Sequence, residues 1–252
     1  MEDLIHRAVE DIAAAREVVA LTGAGISVES GIPPFRGKGG VWERFDPMEY
    51  ATIDAFLGDP AKVWDVLLRE MKSIIDTARP NPAHLGLARL ERLGRLAAVI
   101  TQNVDGLHQK AGNRQVIEFH GNFAWQYCLK CSERFTTQEV SLDEVPPKCR
   151  CGGILRPDCV FFGEAVPVDA MSRSASLARS CDVMLVVGTS AVVEPCASMA
   201  RIAKSEGARV VEINLEPSRL TGHVSDYALL GQAGDILHRI AEAVARRLGE
   251  GD

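Results

Sequence analysis

Two pairs of cysteines stand close together in the middle of the chain, in the pattern of a metal site. Cys128 and Cys131 form a CxxC pair, and Cys149 and Cys151 form a CxC pair after a gap of seventeen residues. Two thiol pairs at this distance are typical of a zinc ribbon, in which four thiolates close a tetrahedral site and leave no position for water. The spacing predicts a structural zinc ion, and the short CxC pair leaves open whether both of its thiols are ligands.

Polar residues also stand at the ends of five apolar runs, where a core would not favour them. They are Thr22-Gly23, Gln102-Asn103 with Asp105, His120-Gly121, Gly188-Thr189-Ser190, and Asn214 with Glu216. One such end is ordinary turn chemistry, because glycine and asparagine are common in turns. Five of them, at the carboxyl ends of strands in one parallel sheet, predict a composite ligand site.

The first of these ends continues as GAGISVESGIPPFRG, residues 23–37. Gly23 and Gly25 allow a tight turn and a close approach of backbone amides to a pyrophosphate. The dinucleotide fingerprint is incomplete, because Val28 replaces its third glycine and residues 38–60 do not read as a strand that could carry the acidic ribose partner. The two prolines that follow exclude a regular helix. Phe35 and Arg36 therefore lie on a loop, which either orders over a nucleotide or is ordinary surface.

The apolar runs read as strands buried on both faces, at 18–23, 96–103, 115–121, 182–190 and 209–217. Helical patterns lie between them and close the chain. The alternation predicts an α/β fold, with an open parallel sheet that carries helices on both faces.

Composition and charge narrow the class of protein. The 252 residues, 46% of them hydrophobic, suffice for one large domain with a small module. A net charge of −6 argues against direct nucleic-acid binding. No apolar run is long enough to cross a membrane, and the acidic amphipathic N-terminus does not resemble a signal peptide. We expect a soluble, cytoplasmic protein whose other cysteines, Cys159, Cys181 and Cys196, are buried core residues.

In their order along the chain, several motifs resemble those of the sirtuins, the NAD-dependent protein deacylases. The motifs are GAGIS, SGIPPFRG, TQNVDGLH, FHGN, the paired cysteines, RPDCVFFGE, VVGTSAVVEP and INLEP. The resemblance covers nearly the whole chain. It implies a Rossmann-like NAD-binding domain from residues 1–35, 81–121 and 157–252. It also implies a small domain made of a helical module, 36–80, and a zinc-ribbon module, 122–156.

The resemblance further implies a reaction that breaks the nicotinamide–ribose bond of NAD and transfers an acyl group from a substrate lysine to ADP-ribose. His120 would be the general base, a role that suits an imidazole near neutral pH, and Asn103 would act beside it. The other five histidines read as ordinary. By the same resemblance, NAD would be held by Gly23, Ala24, Gly25, Ser27, Ile32, Phe35, Arg36, Gln102, Asn103, Asp105, Gly188, Thr189, Ser190, Asn214 and Glu216.

Two segments are predicted to bind the protein substrate. They are residues 159–164 and 190–194, and their sequences indicate an extended conformation. An acylated-lysine peptide laid between them would gain main-chain hydrogen bonds as an added strand, with loose sequence preference. The side chains in question are Val160, Phe161, Phe162, Gly163 and Val193. Sirtuins that remove succinyl and malonyl groups carry Tyr and Arg three residues apart. In this chain Arg69 has Val66 three residues before it, and Leu67 is followed by Glu70 at that spacing. The carboxylate would repel an acidic acyl chain, so acetyl or a longer neutral acyl group is expected.

Three other functions are compatible with parts of the pattern. A mono-ADP-ribosyltransferase would share NAD cleavage and pass the ribose to a protein nucleophile. A dehydrogenase is disfavoured by the incomplete fingerprint. A non-catalytic NAD sensor would be expected to lack His120 or Asn103, and both are present.

Overall fold

The protein is described here by a computed structural model of residues 1–250, which contains two β-sheets. The strands are β1 (Val18–Thr22), β2 (Ala98–Thr101), β3 (Val116–Glu118), β4 (Gly121–Cys128), β5 (Arg134–Thr136), β6 (Leu155–Cys159), β7 (Val183–Val187), β8 (Arg209–Asn214) and β9 (Tyr227–Leu230). The α-helices are α1 (Glu2–Ala14), α2 (Val41–Arg44), α3 (Pro47–Tyr50), α4 (Ile53–Gly58), α5 (Pro60–Val63), α6 (Arg69–Thr77), α7 (Pro82–Arg92), α8 (Leu107–Ala111), α9 (Val168–Ser180), α10 (Ser198–Ser205) and α11 (Ala233–Arg247).

The larger sheet has six parallel strands in the order β3-β2-β1-β7-β8-β9. From β1 the chain winds outward through β2 and β3, and then returns to the other side of β1 for β7, β8 and β9. The winding direction therefore reverses between β1 and β7. In sheets of this kind a ligand binds outside the carboxyl ends of the strands at that reversal.

Helices cover both faces of this sheet. On one face α1, α7 and α11 pack against it, with residues such as Ile12, Leu87 and Leu237 fully buried. On the other face lie α9 and α10, which contribute Ala178 and Met199 to a second core. Every residue of β1 and β7 is buried, and both strands are apolar throughout except for Thr22, the last residue of β1. The predicted fold is confirmed.

The small domain has a helical part and a sheet part. Helices α2 to α6 occupy the segment predicted as a helical module, and strands β5, β4 and β6 form an antiparallel sheet that spans Gly121 to Cys159. The buried indole of Trp64 joins the two parts, because its Nε1 donates a 2.9 Å hydrogen bond to the carbonyl of Leu155. The exact domain boundaries remain a prediction.

Between α5 and α6 the helix widens into a π-helical turn at Trp64–Leu68. A π-turn holds one more residue than an α-turn and is frequent at functional sites. Here it brings two consecutive side chains, Leu67 and Leu68, to the same cavity wall.

Strands β4, β5, β6 and β9 were not predicted from the sequence, and the five predicted strands extend beyond their true ends. The run 182–190, for example, contains a strand only over Val183–Val187, and its polar residues belong to the loop that follows. Within the described residues, no helix combines the length and the apolar character needed to cross a membrane.

Candidate active site

A cavity of about 760 Å³ opens at the carboxyl ends of β1, β2, β7 and β8, beneath both parts of the small domain. Most of the predicted site residues line it: Gly23, Ala24, Gly25, Phe35, Arg36, Gln102, Asn103, His120, Val160, Phe161, Phe162, Gly163, Gly188, Thr189, Ser190, Val193, Asn214 and Glu216. Three predicted residues, Ser27, Ile32 and Asp105, are instead buried behind the wall. The sheet thus brings distant motifs to one cleft.

The glycines after β1 permit contact with the loop after β7. The Gly25 amide donates a 2.8 Å hydrogen bond to the Gly188 carbonyl, and Gly23 donates to Val187 at 3.0 Å. A Cβ on Gly25 would lie 2.7 Å from Gly188 Cα. These two amides are therefore engaged by β7 and the loop after it and are not free for a pyrophosphate, contrary to the sequence interpretation. The turn continues as a 3-10 helix, Ala24–Ser30, rather than an α-helix.

A buried polar cluster supports Asn103 at the base of the cleft. The amide of Asn103 donates to the Ser27 hydroxyl at 3.1 Å and to the Gly23 carbonyl at 3.2 Å. Ser27 in turn donates to Asp105 at 2.7 Å, and the other Asp105 oxygen accepts from the Leu107 amide at the start of α8. Ser27 and Asp105 therefore orient the Asn103 side chain from behind.

Two histidines that the sequence analysis regarded as ordinary belong to this support. The His84 ring lies 5.0 Å from the His108 ring, and its Nε2 is 3.5 Å from the Ser27 hydroxyl. His108 Nε2 is 2.9 Å from the Thr22 hydroxyl, which donates to Thr101. Burial lowers the pKa of His84 to about 4 and that of His108 to about 3. Both rings are therefore neutral near pH 7.

His120 follows β3 and faces the cleft with a defined tautomer. Its Nδ1 is 3.1 Å from the carbonyl oxygen of Gln102. A carbonyl can only accept, so Nδ1 carries the proton and Nε2 is left with a free lone pair. Burial lowers the pKa of His120, and the bond to Gln102 opposes this only in part. The ring is thus a neutral base at physiological pH.

At the other end of the cleft, Asn214 ties β8 to the loop after β7. Its Oδ1 accepts from the Thr189 amide at 3.0 Å, and its Nδ2 lies 3.3 Å from the Thr189 carbonyl. The Thr189 hydroxyl accepts from the Gln102 side chain at 3.1 Å. Glu216 lies beyond Asn214 as an exposed residue of the rim.

The loop before α2 brings an aromatic wall to the cleft. Phe35 stacks on Trp42 at a centroid distance of 5.3 Å, and Trp42 lies 6.3 Å from Phe162. Arg36 is exposed beside them and lines the same cavity. The predicted loop with one aromatic and one cationic residue is therefore part of the cleft.

The two segments predicted as extended strands differ from that prediction. Phe162 already uses its backbone, since its amide donates to Ala51 and its carbonyl accepts from Ile53. Ala191 has a φ of 52°, and the Val193 carbonyl accepts from Ala197 at the turn before α10. A free edge along the full length of either segment is therefore absent.

A buried arginine holds the first of these segments. Arg156 is 2% exposed, and its guanidinium donates two 2.7 Å hydrogen bonds to Glu164 and one of 2.6 Å to the Cys159 carbonyl. Glu164 also accepts from the Phe161 amide at 2.8 Å. The hydrogen bonds to Arg156 lower the pKa of Glu164 despite its burial. Cys159 lies on the cleft wall and is only partly buried, not a core residue as predicted.

The helical module closes the cleft with aliphatic side chains. Leu67, Leu68 and Met71 line it, whereas Glu70 turns away and forms an ion pair with Arg44 at 2.6 Å. The sequence interpretation placed the Glu70 charge near the acyl tip, and the structure corrects this. The side chains that this helix presents to the cleft are therefore apolar, and the Glu70 charge lies away from them.

All four predicted metal ligands meet in the small domain. The sulfur atoms of Cys128, Cys131, Cys149 and Cys151 lie within 4.8 Å of one another. Cys128 and Cys151 are 3.5 Å apart, and Cys131 and Cys149 are 3.7 Å apart. Zinc–sulfur bonds of about 2.3 Å in a tetrahedron require nearly this separation. The set therefore fits a zinc ion, with both thiols of the CxC pair in place. A Cβ at Gly153 would intrude on the Cys128 sulfur.

Comparisons with known proteins agree with this site. A family model described as the Sir2 family matches residues 23–195. The chain is similar to the NAD-dependent protein deacylase 2 of Pyrobaculum aerophilum, with 52% identity over 238 residues and 94% of each chain covered. It is also similar to the NAD-dependent protein deacylase of Pyrococcus furiosus, with 47% identity over 241 residues, 93% of this chain and 96% of the relative.

Solved structures show the same likeness in three dimensions. A mutant Sir2 homologue in complex with ADP-ribose superposes with a TM-score of 0.92 at 42% identity, covering 98% of both chains. A Sir2 homologue in complex with NAD gives a TM-score of 0.88 at 44% identity, covering 96% of this chain and 94% of the other. Sir2Af2 bound to a myristoylated histone peptide gives 0.84 at 38% identity over the whole of both chains.

Proposed function

Because the chain belongs to the Sir2 family and is an NAD-dependent protein deacylase, we propose that His120 is its general base. This role is supported above all by the 3.1 Å contact between His120 Nδ1 and the Gln102 carbonyl, which fixes the tautomer with Nε2 unprotonated. NAD as co-substrate supplies the ribose carbon that loses nicotinamide and receives the acyl oxygen. His120 then accepts a proton from a ribose hydroxyl through Nε2.

Other residues position the two substrates. Asn103, whose side chain is held by Ser27 and Asp105, contacts the nicotinamide end of NAD. The Thr189 and Asn214 pair supports the adenosine side. Phe35 and its stacking partner exclude water from the reacting carbon, since the loop carries apolar rings over the cleft. The deprotonated ribose oxygen attacks the acyl carbon, and one water molecule then replaces the lysine nitrogen on that carbon, so the products are nicotinamide, free lysine and O-acyl-ADP-ribose.

The protein substrate carries an acylated lysine, with its side chain between Phe161, Val160 and His120. The myristoylated histone peptide bound by Sir2Af2 supports a peptide substrate and an acyl group longer than acetyl. The aliphatic wall of Leu67, Leu68 and Met71 favours neutral acyl groups. Activity on acetyl, myristoyl and succinyl versions of one peptide tests this preference, and a faster reaction with succinyl would contradict it.

The function is tested by incubating the enzyme with NAD and an acetylated peptide. We expect free nicotinamide in equal amount to deacetylated peptide, with His120→Ala inactive and its zinc content unchanged. His6→Ala is the matched control, because His6 is exposed on α1 and does not line the cleft. Labelled protein without deacetylation would indicate a mono-ADP-ribosyltransferase, and NAD binding without turnover would indicate a sensor. The cytoplasm remains the predicted compartment, which free cysteines favour.

A further inference from the structure

A carboxylate of strand β8 is completely enclosed behind the adenosine side of the cleft. Glu212 has 0% exposure and lies two residues before Asn214, so both side chains emerge on the same face of the strand. A buried carboxylate is costly unless its oxygens are fully hydrogen-bonded. On the same face of the strand, two residues before Glu212, Val210 is apolar and fully buried, so the carboxylate lies at the end of an apolar core.

Each oxygen of Glu212 serves a different set of donors. Oε1 accepts from the hydroxyls of Thr221 at 2.7 Å and Ser225 at 2.6 Å. Oε2 accepts from the Ser218 hydroxyl and from Asn214 Nδ2 at 3.2 Å. All four donors are neutral. Both oxygens therefore hold the loop after β8, and only the donors to Oε2, Asn214 and Ser218, line the NAD cleft.

The Oε2 side links two segments of the cleft wall. Asn214, which donates to this oxygen, also holds the amide of Thr189, and Ser218 lines the cavity as well. Without the acceptor, Asn214 would keep its two contacts with Thr189 and lose the one that ties its side chain to Glu212. The Thr189 loop and the Ser218 loop would then no longer be tied together.

We infer that Glu212 is a positioning residue for NAD, acting through Asn214 and Ser218 on the adenosine side of the cleft. This inference rests on the proposed function, because it takes that end of the cleft as the adenosine site. Glu212 itself touches no substrate. Its loss therefore weakens the binding of NAD and ADP-ribose and leaves the acyl-peptide site and the His120 chemistry intact.

The test compares three substitutions of Glu212. Glu212→Met keeps the length and removes all acceptors, and we expect the KM for NAD to rise about tenfold. Glu212→Asp keeps the charge but cannot reach all donors, so a smaller rise is expected. Glu212→Gln keeps an acceptor toward Asn214 while its NH₂ donates to the hydroxyls of Thr221 and Ser225. We expect the KM of this variant for NAD to stay within about twofold of the wild-type value, because the hydroxyls can accept as well as donate.

Ser225→Ala is the matched control, since it removes a bond to Oε1 alone. It should lower the Tm and leave the KM for NAD unchanged. Calorimetric titration with ADP-ribose measures the same effect without turnover, so Glu212→Asp remains informative if Glu212→Met does not fold. Equal rises in the KM for NAD and for peptide, or an unchanged KM for NAD in Glu212→Asp, would overturn the inference. Loss of NAD-dependent deacylation in the wild type would instead overturn the proposed function.

Discussion

Gly25 and Gly188 are in direct contact across the point where the winding of the sheet reverses. The Gly25 amide donates to the Gly188 carbonyl at 2.8 Å, and Gly188 has a φ of 61°. The contact brings the loops after β1 and β7 closer than any side chain would allow. Those loops carry cleft residues on either side of the reversal, so the contact sets how closely the two loops approach each other there.

Gly25→Ala should therefore impair NAD binding. The added Cβ would lie 2.7 Å from Gly188 Cα, which forces the loops apart at a cost of about 1–3 kcal/mol. We expect a raised KM for NAD and a lower Tm. Gly58→Ala is the control, because no atom lies within 4 Å of its added Cβ. Wild-type affinity for NAD in Gly25→Ala would show that the loops can separate without consequence.

The lowered pKa of His120 predicts the pH dependence of catalysis. Burial favours the neutral ring, so the proton that blocks Nε2 is taken up only below the ordinary value of 6.5. We expect kcat to stay level from pH 8 to about 6.5 and to fall at lower pH. Rates measured at saturating NAD and peptide test this. An acid limb centred above pH 7 would mean that His120 is not the base or has a raised pKa.

Buried neutral histidines make folding stability depend on pH. The pKa of His84 is about 4 and that of His108 about 3, so between these values and 6.5 the unfolded chain binds protons that the native protein does not. The contribution of these two histidines to the free energy of unfolding is therefore complete above pH 6.5. It decreases as the pH falls below that value, by about 1.4 kcal/mol per pH unit for each histidine. Denaturant unfolding at several pH values measures this slope. In His108→Gln the slope should be smaller, and an unchanged slope would exclude His108 as a source.

Zinc removal should unfold the small antiparallel sheet before the parallel one. Cys128 ends β4, and it pairs with Leu155 at the start of β6, so the metal fixes one end of that sheet. We expect one zinc per chain, and less than one in Cys151→Ser, with a lower Tm. Cys181→Ala is the control, since its thiol lies in the core beside α9. Full zinc content in Cys151→Ser would show that the CxC pair supplies only one ligand.

Arg156→Met should affect the peptide and spare NAD. The substitution removes three hydrogen bonds from the segment 159–164 and leaves the Glu164 carboxylate without its cation. The expected destabilisation is on the order of 2–3 kcal/mol, because Glu164 keeps some contact with water. The KM for acyl-peptide should rise more than the KM for NAD. In Arg173→Met, which breaks only an exposed pair on α9, neither should change.

The sequence predicted the sheet well because its strands are buried on both faces and their apolar runs end in recognisable polar residues. The strand at Tyr227–Leu230 was missed because its apolar run ends with the strand itself, whereas β2 and β3, which are equally short or shorter, lie within the longer runs 96–103 and 115–121. Its pairing with β8 supplies the stability that its local sequence does not signal.

The residues that support the cleft from behind could not be predicted, because the sequence around them does not show their contacts. His84 lies 57 positions from Ser27, and only the folded sheet brings the two together. Glu212 stands within an apolar strand, where a lone acidic residue carries no information about its donors. The orientation of Glu70 depends on the π-turn before it, since sequence spacing alone assumes a regular α-helix.

That π-turn has an evolutionary consequence. Because Trp64–Leu68 contains one residue more than an α-turn requires, a single deletion there would restore the regular helix without disturbing the flanking segments. The deletion would withdraw one leucine from the cleft wall and enlarge the cavity beside it. If this wall selects the acyl group as proposed, loss of that one residue would change the preferred acyl length and leave the residues around His120 in place.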